Sequence, residues 1–289
     1  MPDVSGKHIV DTAWLAANLA APDLVVLDGS WHLPAEKRDP RAEYRANHIP
    51  GARFFDIDDI SDDATSLPHM LPPPEKFAAK MQALGVGAGD CVVAYDASAP
   101  GLFSAARVWW MFRAFGHANV AVLDGGLKKW KAEGRASTAD AAPARPATPL
   151  SPRLDKHLVA SLEEMRALVA AGSGQIVDAR AAGRFEGREP EPRPGVRSGH
   201  IPGARSIPFP TLLNADGRLK SMPDLRRVFE AAGIDLGQPV VTSCGSGVTA
   251  AVLSLALALV GRPDTGLYDG SWSEWGQASL GTPIATGTH

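Results

Sequence analysis

The sequence predicts an α/β protein of two tandem domains, each with a parallel sheet flanked by helices. Three observations support this fold class: a repeated set of motifs, apolar runs that alternate with helical segments, and a proline-rich stretch between the two copies. The hexapeptide HIPGAR that begins at His48 returns at His200, 152 residues later. Four further motif pairs keep the same order at nearly the same spacing, which indicates an internal duplication.

The stretch between the copies, residues 139–153, has a proline at every third position from Pro143 to Pro152. Proline fixes φ and has no amide donor, so this stretch is predicted to be an extended spacer rather than a helix or a central strand. The predicted domains are therefore residues 1–138 and 154–289, joined by the spacer.

In the first copy, Thr12 precedes an apolar-periodic stretch and is predicted to be a helix N-cap. Short apolar runs are typical of parallel strands that are buried on both faces. Such strands are predicted at 24–27, 91–95 and 120–123, with a helix at 104–114.

In the second copy, Ser161 with Glu164 three residues later predicts a capping box at a helix start. Strands are predicted at 175–177, 239–243 and 266–268, and a helix at 248–260. Strands that alternate with helices through short loops predict a parallel sheet, and reactive sites of such sheets lie at the carboxyl ends of the strands.

Composition excludes several classes of function. The 289 residues carry a net charge of -3, which gives no electrostatic reason to bind nucleic acid or an anionic membrane. Two cysteines are too few for a disulfide scaffold or a cysteine-built zinc site, and the eight histidines lack ligand spacing. The most apolar run, 250–260, is too short to span a bilayer. No export signal opens the chain, so a cytoplasmic protein is expected. Neither a phosphate-binding glycine motif nor a cluster of metal ligands appears, so no cofactor and no metal are expected.

The segment Cys244-Gly-Ser-Gly-Val-Thr249 follows a predicted strand and leads into a predicted helix. Unpaired amides and the positive end of the helix dipole favour a thiolate over a thiol, which makes Cys244 a candidate nucleophile. Gly245 and Gly247 allow the backbone to curl so that several amides form an anion cradle. A buried structural cysteine in a glycine-rich turn is the alternative, but the combination of strand, loop and helix start favours the nucleophile.

A cysteine in an amide cradle also suits phosphate chemistry. Cysteine phosphatases place an arginine six residues after the nucleophile, and that position is Ala250 here. Without a guanidinium in the loop, phosphatase activity is a poor interpretation.

The HIPGAR repeats, the duplicated α/β unit and the loop at Cys244 resemble the tandem-domain rhodanese-type sulfurtransferases over nearly the whole chain. Thiosulfate-preferring members of that family carry basic residues just after the cysteine. Gly245 and Ser246 are neutral, which is the pattern of the 3-mercaptopyruvate sulfurtransferases. The resemblance implies substrate contacts from the loop, namely from Gly245, Gly247, Val248 and Thr249.

The resemblance also implies that Arg184 and Arg193 hold the carboxylate and keto oxygen of mercaptopyruvate. A planar guanidinium with fixed donors suits a 2-keto acid better than a lysine does. Three nearby arginines are weaker candidates: Arg188, Arg197 and Arg205.

In some family members a serine of the loop, a histidine and an aspartate form a proposed proton relay. Ser246, His69 and Asp58 match these positions, so the resemblance implies a general acid–base role for them. A solvated acidic loop is the alternative for the aspartate, because the same stretch also contains Asp56, Asp59, Asp62 and Asp63.

The position opposite Cys244 in the first copy is Asp96. A carboxylate cannot accept a sulfane sulfur, so this copy is expected to lack the transfer chemistry. Cys91 is interpreted as a small buried residue, and the repeat-related His48 and His200 as architectural residues.

The expected function is transfer of sulfane sulfur from 3-mercaptopyruvate, through a Cys244 persulfide, to an acceptor thiol such as thioredoxin or to cyanide. Two alternatives stay open: a thiosulfate:cyanide sulfurtransferase, and a rhodanese-fold binding module without turnover.

Overall fold

The computed structural model describes residues 2–146, 148–172 and 174–288, and the chain divides into two compact units. The first unit comprises Met1–Asp62, Pro72–Asp155 and Leu213–Leu219. The second unit comprises Asp63–Leu71, Lys156–Leu212 and Lys220–His289. Each unit therefore includes a short segment from the other half of the sequence; the one in the second unit, Asp63–Leu71, is called the His69 arm below. The exact domain boundaries stay a prediction.

The first unit is built on a five-stranded parallel sheet in the order β1-β5-β4-β2-β3. Its strands are β1 (Ile9–Val10), β2 (Leu24–Asp28), β3 (Arg53–Phe54), β4 (Cys91–Tyr95) and β5 (Val120–Leu123). Its helices are α1 (Thr12–Asn18), α2 (Pro40–Ala46), α3 (Ile57–Ile60), α4 (Pro74–Ala83), α5 (Ala105–Ala114) and α6 (Gly126–Ala132).

The second unit repeats this architecture, with the strand order β6-β10-β9-β7-β8 and parallel pairing throughout. Its strands are β6 (Val159–Ala160), β7 (Gln175–Asp178), β8 (Ala204–Ser206), β9 (Val240–Ser243) and β10 (Gly266–Tyr268). Its helices are α7 (Leu162–Ala171), α8 (Ala182–Phe185), α9 (Met222–Ala231), α10 (Ala250–Leu259) and α11 (Ser271–Trp275). The predicted fold class is confirmed.

The central strands are buried because helices cover them. Every residue of β2, β4 and β5 is buried, and α5 packs on β4 and β5. In the second unit, α10 packs on β9 and β10 with nine of its residues buried, from Ala250 to Ala258. This burial on both faces is the reason that short apolar runs predicted the strands correctly.

Of the two predicted helix caps, one differs from the structure and one agrees with it. The N-cap of α1 is Asp11, whose side chain accepts a hydrogen bond from the Trp14 amide (2.6 Å), and Thr12 instead donates to Glu133 (2.6 Å). The predicted cap at Thr12 is therefore wrong by one residue, because a carboxylate was available just before it. The capping box of Ser161 is confirmed.

The helix predicted at 248–260 begins later, at Ala250. Gly247 has a φ of 78°, in the left-handed region, which interrupts the helical path before Thr249 caps it. The residues that follow Cys244 therefore form a loop of their own between β9 and α10.

Candidate active site

The cysteine loop, residues 244–249, follows β9 at the carboxyl edge of the second sheet. Cys244 is buried, with 2% of its surface exposed. The hydroxyl of Ser271 holds this loop from the start of α11. It accepts hydrogen bonds from the amides of Cys244 (3.2 Å) and Gly247 (3.1 Å), and it donates to the Tyr268 carbonyl (2.8 Å). One side chain thus ties the loop to the neighbouring β10–α11 turn.

Several amides of the loop are not used by the protein. Within the described ranges of the chain, the backbone amides of Gly245, Ser246, Val248 and Thr249 donate no hydrogen bond. They lie at the N-terminal end of α10, where the helix dipole also favours negative charge. These free donors are what the predicted anion cradle requires.

Sequence reasoning missed Ser271, although the repeat contained a signal for it. The counterpart in the first unit is Gly126, and both residues have left-handed backbones, with φ of 49° at Ser271 and 53° at Gly126. A Cβ on Gly126 would lie 2.7 Å from the Asp96 carbonyl oxygen, so no side chain fits there. The second unit instead carries a hydroxyl in this unusual conformation, and that hydroxyl organises the cysteine loop.

In the first unit, the carboxylate of Asp96 occupies the amides of the corresponding loop, between β4 and α5. Asp96, 1% exposed, accepts hydrogen bonds at Oδ2 from the amides of Phe103 (2.8 Å) and Ala105 (2.9 Å). Its Oδ1 accepts from the Ser98 amide (3.0 Å). The amides that could bind an anion at the start of α5 are therefore already occupied, which is a physical reason to expect no sulfur transfer in this unit.

Arg184 lies beside the cysteine loop. An ideal Cβ on Gly245 would lie 3.2 Å from Nη2 of Arg184, so the guanidinium is within contact distance of the loop. Glu191 accepts a hydrogen bond from Nε of Arg184 (3.3 Å) and a second from Nη2. Because this carboxylate takes the Nε–Nη2 edge of the guanidinium, the other N–H groups of Arg184 are left for a ligand.

Glu191 is itself held by a second arginine that sequence reasoning missed. Arg180 has a side chain only 1% exposed and donates from Nη1 to Glu191 (2.8 Å). It also donates from Nη2 to Asp178 (2.7 Å) and to the Gly199 carbonyl (2.9 Å). Its guanidinium lies over the Trp272 ring, 4.5 Å from the centroid. The charged members of this network lie close together in sequence, between residues 178 and 191, but they follow no helical or strand spacing that would signal it.

Arg193, the second predicted substrate arginine, lines a cavity of about 420 Å³ in the second unit. Ser273, which donates two hydrogen bonds to the Gly245 carbonyl, lines the same cavity. Two of the three weaker arginine candidates have other partners. Arg197 donates to four backbone carbonyls, while the side chain of Arg188 is 65% exposed and pairs with a nearby glutamate.

The structure brings His69 and Ser246 together within the second unit. Nδ1 of His69 lies 2.9 Å from Oγ of Ser246, and His69 is 4% exposed. The His69 arm is anchored two residues later, where the Leu71 amide donates to Oδ2 of Asp269 (2.7 Å). Asp269, at the end of β10, was not predicted as a site residue.

His69 has a φ of 61°, which is rare for residues other than glycine. The residue 148 positions later, its repeat counterpart, is Gly217, with a φ of 86°. In the first unit a Cβ on Gly217 would lie 2.6 Å from the Pro100 carbonyl oxygen. One copy therefore uses glycine in this backbone conformation, while the other keeps an imidazole there, beside the cysteine loop. Such strain is typical of functional positions.

Asp58 belongs to the first unit. It is exposed, and its Oδ2 accepts a hydrogen bond from Nε1 of Trp31 (3.2 Å). Of the neighbouring carboxylates, Asp56 caps α3 and Asp59 pairs with a lysine of α4. A link from Asp58 to His69 stays a prediction.

The residues interpreted as architectural are buried, and the two histidines have structural partners. Nδ1 of His48 lies 2.7 Å from the Tyr44 carbonyl oxygen, and Nδ1 of His200 lies 2.8 Å from that of Phe185. Each histidine ring also stacks on the same aromatic residue. Cys91 is fully buried, and its burial raises the pKa of the thiol to about 12, so it is a poor nucleophile.

Among the residues that the structure describes, no group of three or more histidine, cysteine or carboxylate side chains could hold a metal ion. No helix in the described part of the chain is long and apolar enough to cross a membrane.

Comparison with known proteins places this site in a family. A model of the rhodanese-like domain matches residues 11–133 and again residues 161–278. The human 3-mercaptopyruvate sulfurtransferase is 46% identical over 273 residues, which cover 93% of this chain and 92% of the human protein.

Two further similarities point the same way. The mitochondrial thiosulfate/3-mercaptopyruvate sulfurtransferase 1 of Arabidopsis thaliana is 46% identical over 94% of this chain and 76% of its own. The crystal structure of SseA from Escherichia coli, described as a 3-mercaptopyruvate sulfotransferase with the rhodanese fold, matches with a TM-score of 0.83. It is 39% identical and covers 92% of this chain and 99% of SseA. Because one relative is mitochondrial, the expected cytoplasmic location stays a prediction.

Both halves of the chain match the rhodanese-like model, and the relatives that align over nearly its whole length transfer sulfur. The chain therefore belongs to the family of sulfurtransferases that are built from two rhodanese-like domains.

Proposed function

We propose that this enzyme takes sulfur from 3-mercaptopyruvate and holds it as a persulfide on Cys244. The observation that supports this most directly is the position of the Arg184 guanidinium beside Gly245, next to loop amides that have no acceptor among the described residues. A 2-keto acid needs a planar cationic donor, and a sulfur anion needs convergent N–H groups. The neutral Gly245 and Ser246 leave room for the keto acid where thiosulfate-preferring members carry basic side chains.

In the first half-reaction the Cys244 thiolate attacks the sulfur of the substrate, whose carboxylate and keto oxygen are held by Arg184 and Arg193. The new S–S bond forms as the carbon–sulfur bond breaks. The electron pair of that bond remains on carbon, so pyruvate leaves as its enolate and takes up a proton. Amides of Gly245, Val248 and Thr249 stabilise the negative charge on sulfur, and Gly247 shapes the loop.

In the second half-reaction an acceptor thiolate, for example that of thioredoxin, or cyanide attacks the outer sulfur. Cys244 leaves as a thiolate and the cycle closes. Because the first product departs before the acceptor reacts, ping-pong kinetics are expected.

The Ser246–His69 pair supplies the proton transfer in this proposal. The 2.9 Å separation between Nδ1 and the hydroxyl oxygen is within hydrogen-bond reach, which general acid–base catalysis requires. The family resemblance implies Asp58 as the third member of this relay.

Intact mass spectrometry tests the function directly. After incubation with mercaptopyruvate and removal of small molecules, the protein is expected to gain the mass of one sulfur atom and lose it again on addition of cyanide. A binding module would gain nothing. Comparison of kcat/KM for the two donors separates the remaining alternative: a clear preference for thiosulfate would favour a thiosulfate:cyanide sulfurtransferase.

Removal of either substrate arginine is expected to weaken donor binding. Arg184→Ala and Arg193→Ala each lose a charge-assisted hydrogen bond of about 1.5–3 kcal/mol, so KM for mercaptopyruvate rises roughly ten- to a hundredfold. Arg188→Ala is the matched control, because that guanidinium is exposed and pairs with a neighbouring glutamate. Alkylation of Cys244 by iodoacetamide reports that the loop is intact. Unchanged KM in both variants would refute the carboxylate role.

Loss of the imidazole is expected to lower kcat by roughly 10²-fold or more, the usual contribution of general acid–base catalysis. Both His69→Ala and His69→Asn lose proton transfer, and asparagine tolerates the left-handed backbone that alanine disfavours. Steady-state rates with saturating mercaptopyruvate measure the effect. A wild-type kcat in the asparagine variant would dismiss the relay, whatever the alanine variant shows.

A further inference from the structure

The turn that follows β10, residues 269–271, contacts two segments that carry reacting groups of the proposed mechanism. At its end, the hydroxyl of Ser271 accepts hydrogen bonds from two backbone amides of the cysteine loop (3.2 and 3.1 Å). Two residues earlier, Oδ2 of Asp269 accepts a hydrogen bond from the Leu71 amide of the His69 arm (2.7 Å). Asp269 is buried, with 3% of its surface exposed. One short turn therefore holds both the cysteine loop and the His69 arm in the second unit.

The His69 arm needs such an anchor. Its residues, 63–71, all lie within the described ranges and form no helix or strand. His69 has a left-handed backbone, with a φ of 61°, and its Nδ1 lies 2.9 Å from Oγ of Ser246. An irregular segment in a strained conformation persists only where its surroundings fix it. The hydrogen bond from Leu71 to a carboxylate is charge-assisted, so it is a strong constraint, and it acts two residues from the imidazole.

The first unit repeats this anchor without the imidazole. Asp124 follows β5 as Asp269 follows β10, and its Oδ1 accepts a hydrogen bond from the Leu219 amide (2.9 Å). Leu219 lies two residues after Gly217, the counterpart of His69. The anchor is thus common to both copies, whereas the histidine beside it occurs in the second unit alone. If the anchor were purely structural, loss of either aspartate should affect turnover to a similar extent.

We propose that Asp269 is a positioning residue for proton transfer, whose carboxylate holds the His69 arm so that the imidazole stays within reach of Ser246. The inference rests on the proposed function and deepens it. Asp269 acts through His69 rather than on the substrate, because its Oδ2 bonds a backbone amide two residues beyond the imidazole. Its effect on turnover should therefore disappear when the imidazole is absent.

Steady-state kinetics with mercaptopyruvate provide the first test. Asp269→Ala removes the acceptor and should lower kcat by roughly tenfold or more, since a displacement of about 1 Å at a reacting group can cost 10²-fold. KM should stay within about twofold, because the substrate arginines are unchanged. Asp269→Asn keeps an acceptor oxygen at the same position, so it should retain more than about a third of the wild-type kcat. Asp124→Ala, the matched control, removes the same anchor in the first unit and should keep kcat within about twofold.

A double-mutant cycle separates positioning from general destabilisation. In the His69→Asn background there is no imidazole to position, so the addition of Asp269→Ala should change kcat by less than about twofold. A fold that is merely destabilised would lose activity by the same factor in both backgrounds.

Hydrogen exchange tests the anchor without any turnover. The Leu71 amide should exchange faster in Asp269→Ala than in the wild type, because its acceptor is gone, while Asp124→Ala should leave this amide unchanged and expose that of Leu219. Exchange followed by mass spectrometry on peptides that cover 63–72 and 213–220 measures both effects.

Four results would overturn the inference: an unchanged kcat in Asp269→Ala, an equal loss in Asp124→Ala, equal losses in the two histidine backgrounds, or an unchanged exchange rate at Leu71. A wild-type enzyme that releases no pyruvate from mercaptopyruvate would instead defeat the proposed function, and the positioning role would fall with it. The exchange data distinguish these cases, because they report on the anchor in either one.

Discussion

Replacement of Cys244 by serine is expected to abolish sulfur transfer and the persulfide mass gain together. A serine hydroxyl does not ionise near neutral pH, even beside the loop amides, and it cannot form a persulfide. Turnover should fall below about one thousandth of the wild-type rate, because loss of the nucleophile removes the covalent route entirely. Intact mass after incubation with mercaptopyruvate, followed by an assay of pyruvate release, measures both effects.

Cys91 offers the matched control within the same chain. It is fully buried in β4, and burial raises the pKa of its thiol to about 12, so almost none of it is thiolate at neutral pH. Cys91→Ala should therefore keep the mass gain and the turnover at wild-type levels, with at most a small loss of stability. A sulfur adduct that persists in Cys244→Ser but disappears in Cys91→Ala would show that Cys91, in the first unit, is the nucleophile.

The parts of the fold that could be predicted are those that local pattern determines. The strands at 91–95 and 120–123 have the predicted bounds, because a strand buried on both faces appears in the sequence as a continuous apolar run. The capping box at Ser161 was equally local. The start of α10 was less predictable, since it depends on the left-handed conformation of Gly247 and on the side chain of Ser271, 24 residues away from that glycine.

The residues of the candidate site likewise fall into those that could be predicted from the sequence and those that could not. Cys244 and the adjacent glycines could be recognised because they are contiguous, and the arginines because the resemblance located them. Glu191 and Asp269 could not, because Glu191 meets its arginines across a loop without helical or strand spacing, and the partner of Asp269 is distant along the chain. Glu191 bonds two arginines from the β7–α8 segment, and Asp269 bonds the Leu71 amide 198 residues away. A carboxylate with such a role looks in the sequence like any solvated acid.

Differences between the two copies of the repeat also mark functional positions. Positions at which one copy has glycine and the other a polar side chain mark both Ser271 and His69, opposite Gly126 and Gly217. In each pair the backbone is left-handed, so the polar member bears a conformational cost that the glycine avoids. A cost borne in one copy alone indicates that the side chain is needed there.

Replacement of Arg180 by alanine is expected to be the most destabilising of these changes. The guanidinium is almost fully buried and neutralises both Asp178 and Glu191, whose carboxylates are 1% and 4% exposed. Removal of the cation leaves two buried carboxylates with one fewer partner each, and loss of one member of a buried ion pair typically costs about 3–5 kcal/mol. Urea unfolding followed by the fluorescence of the buried tryptophans measures the free energy of unfolding.

Arg227→Ala is the control for that measurement. Its guanidinium also pairs with an aspartate, but the side chain is 74% exposed, so the free energy of unfolding should change by less than about 1 kcal/mol. A similarly small loss in Arg180→Ala would mean that Asp178 and Glu191 do not depend on this arginine. Arg180→Ala should also raise KM for mercaptopyruvate, because Glu191, which accepts hydrogen bonds from both Arg180 and Arg184, loses the donor that helps to fix its position beside Arg184. Stability and donor recognition are thus coupled through one buried carboxylate.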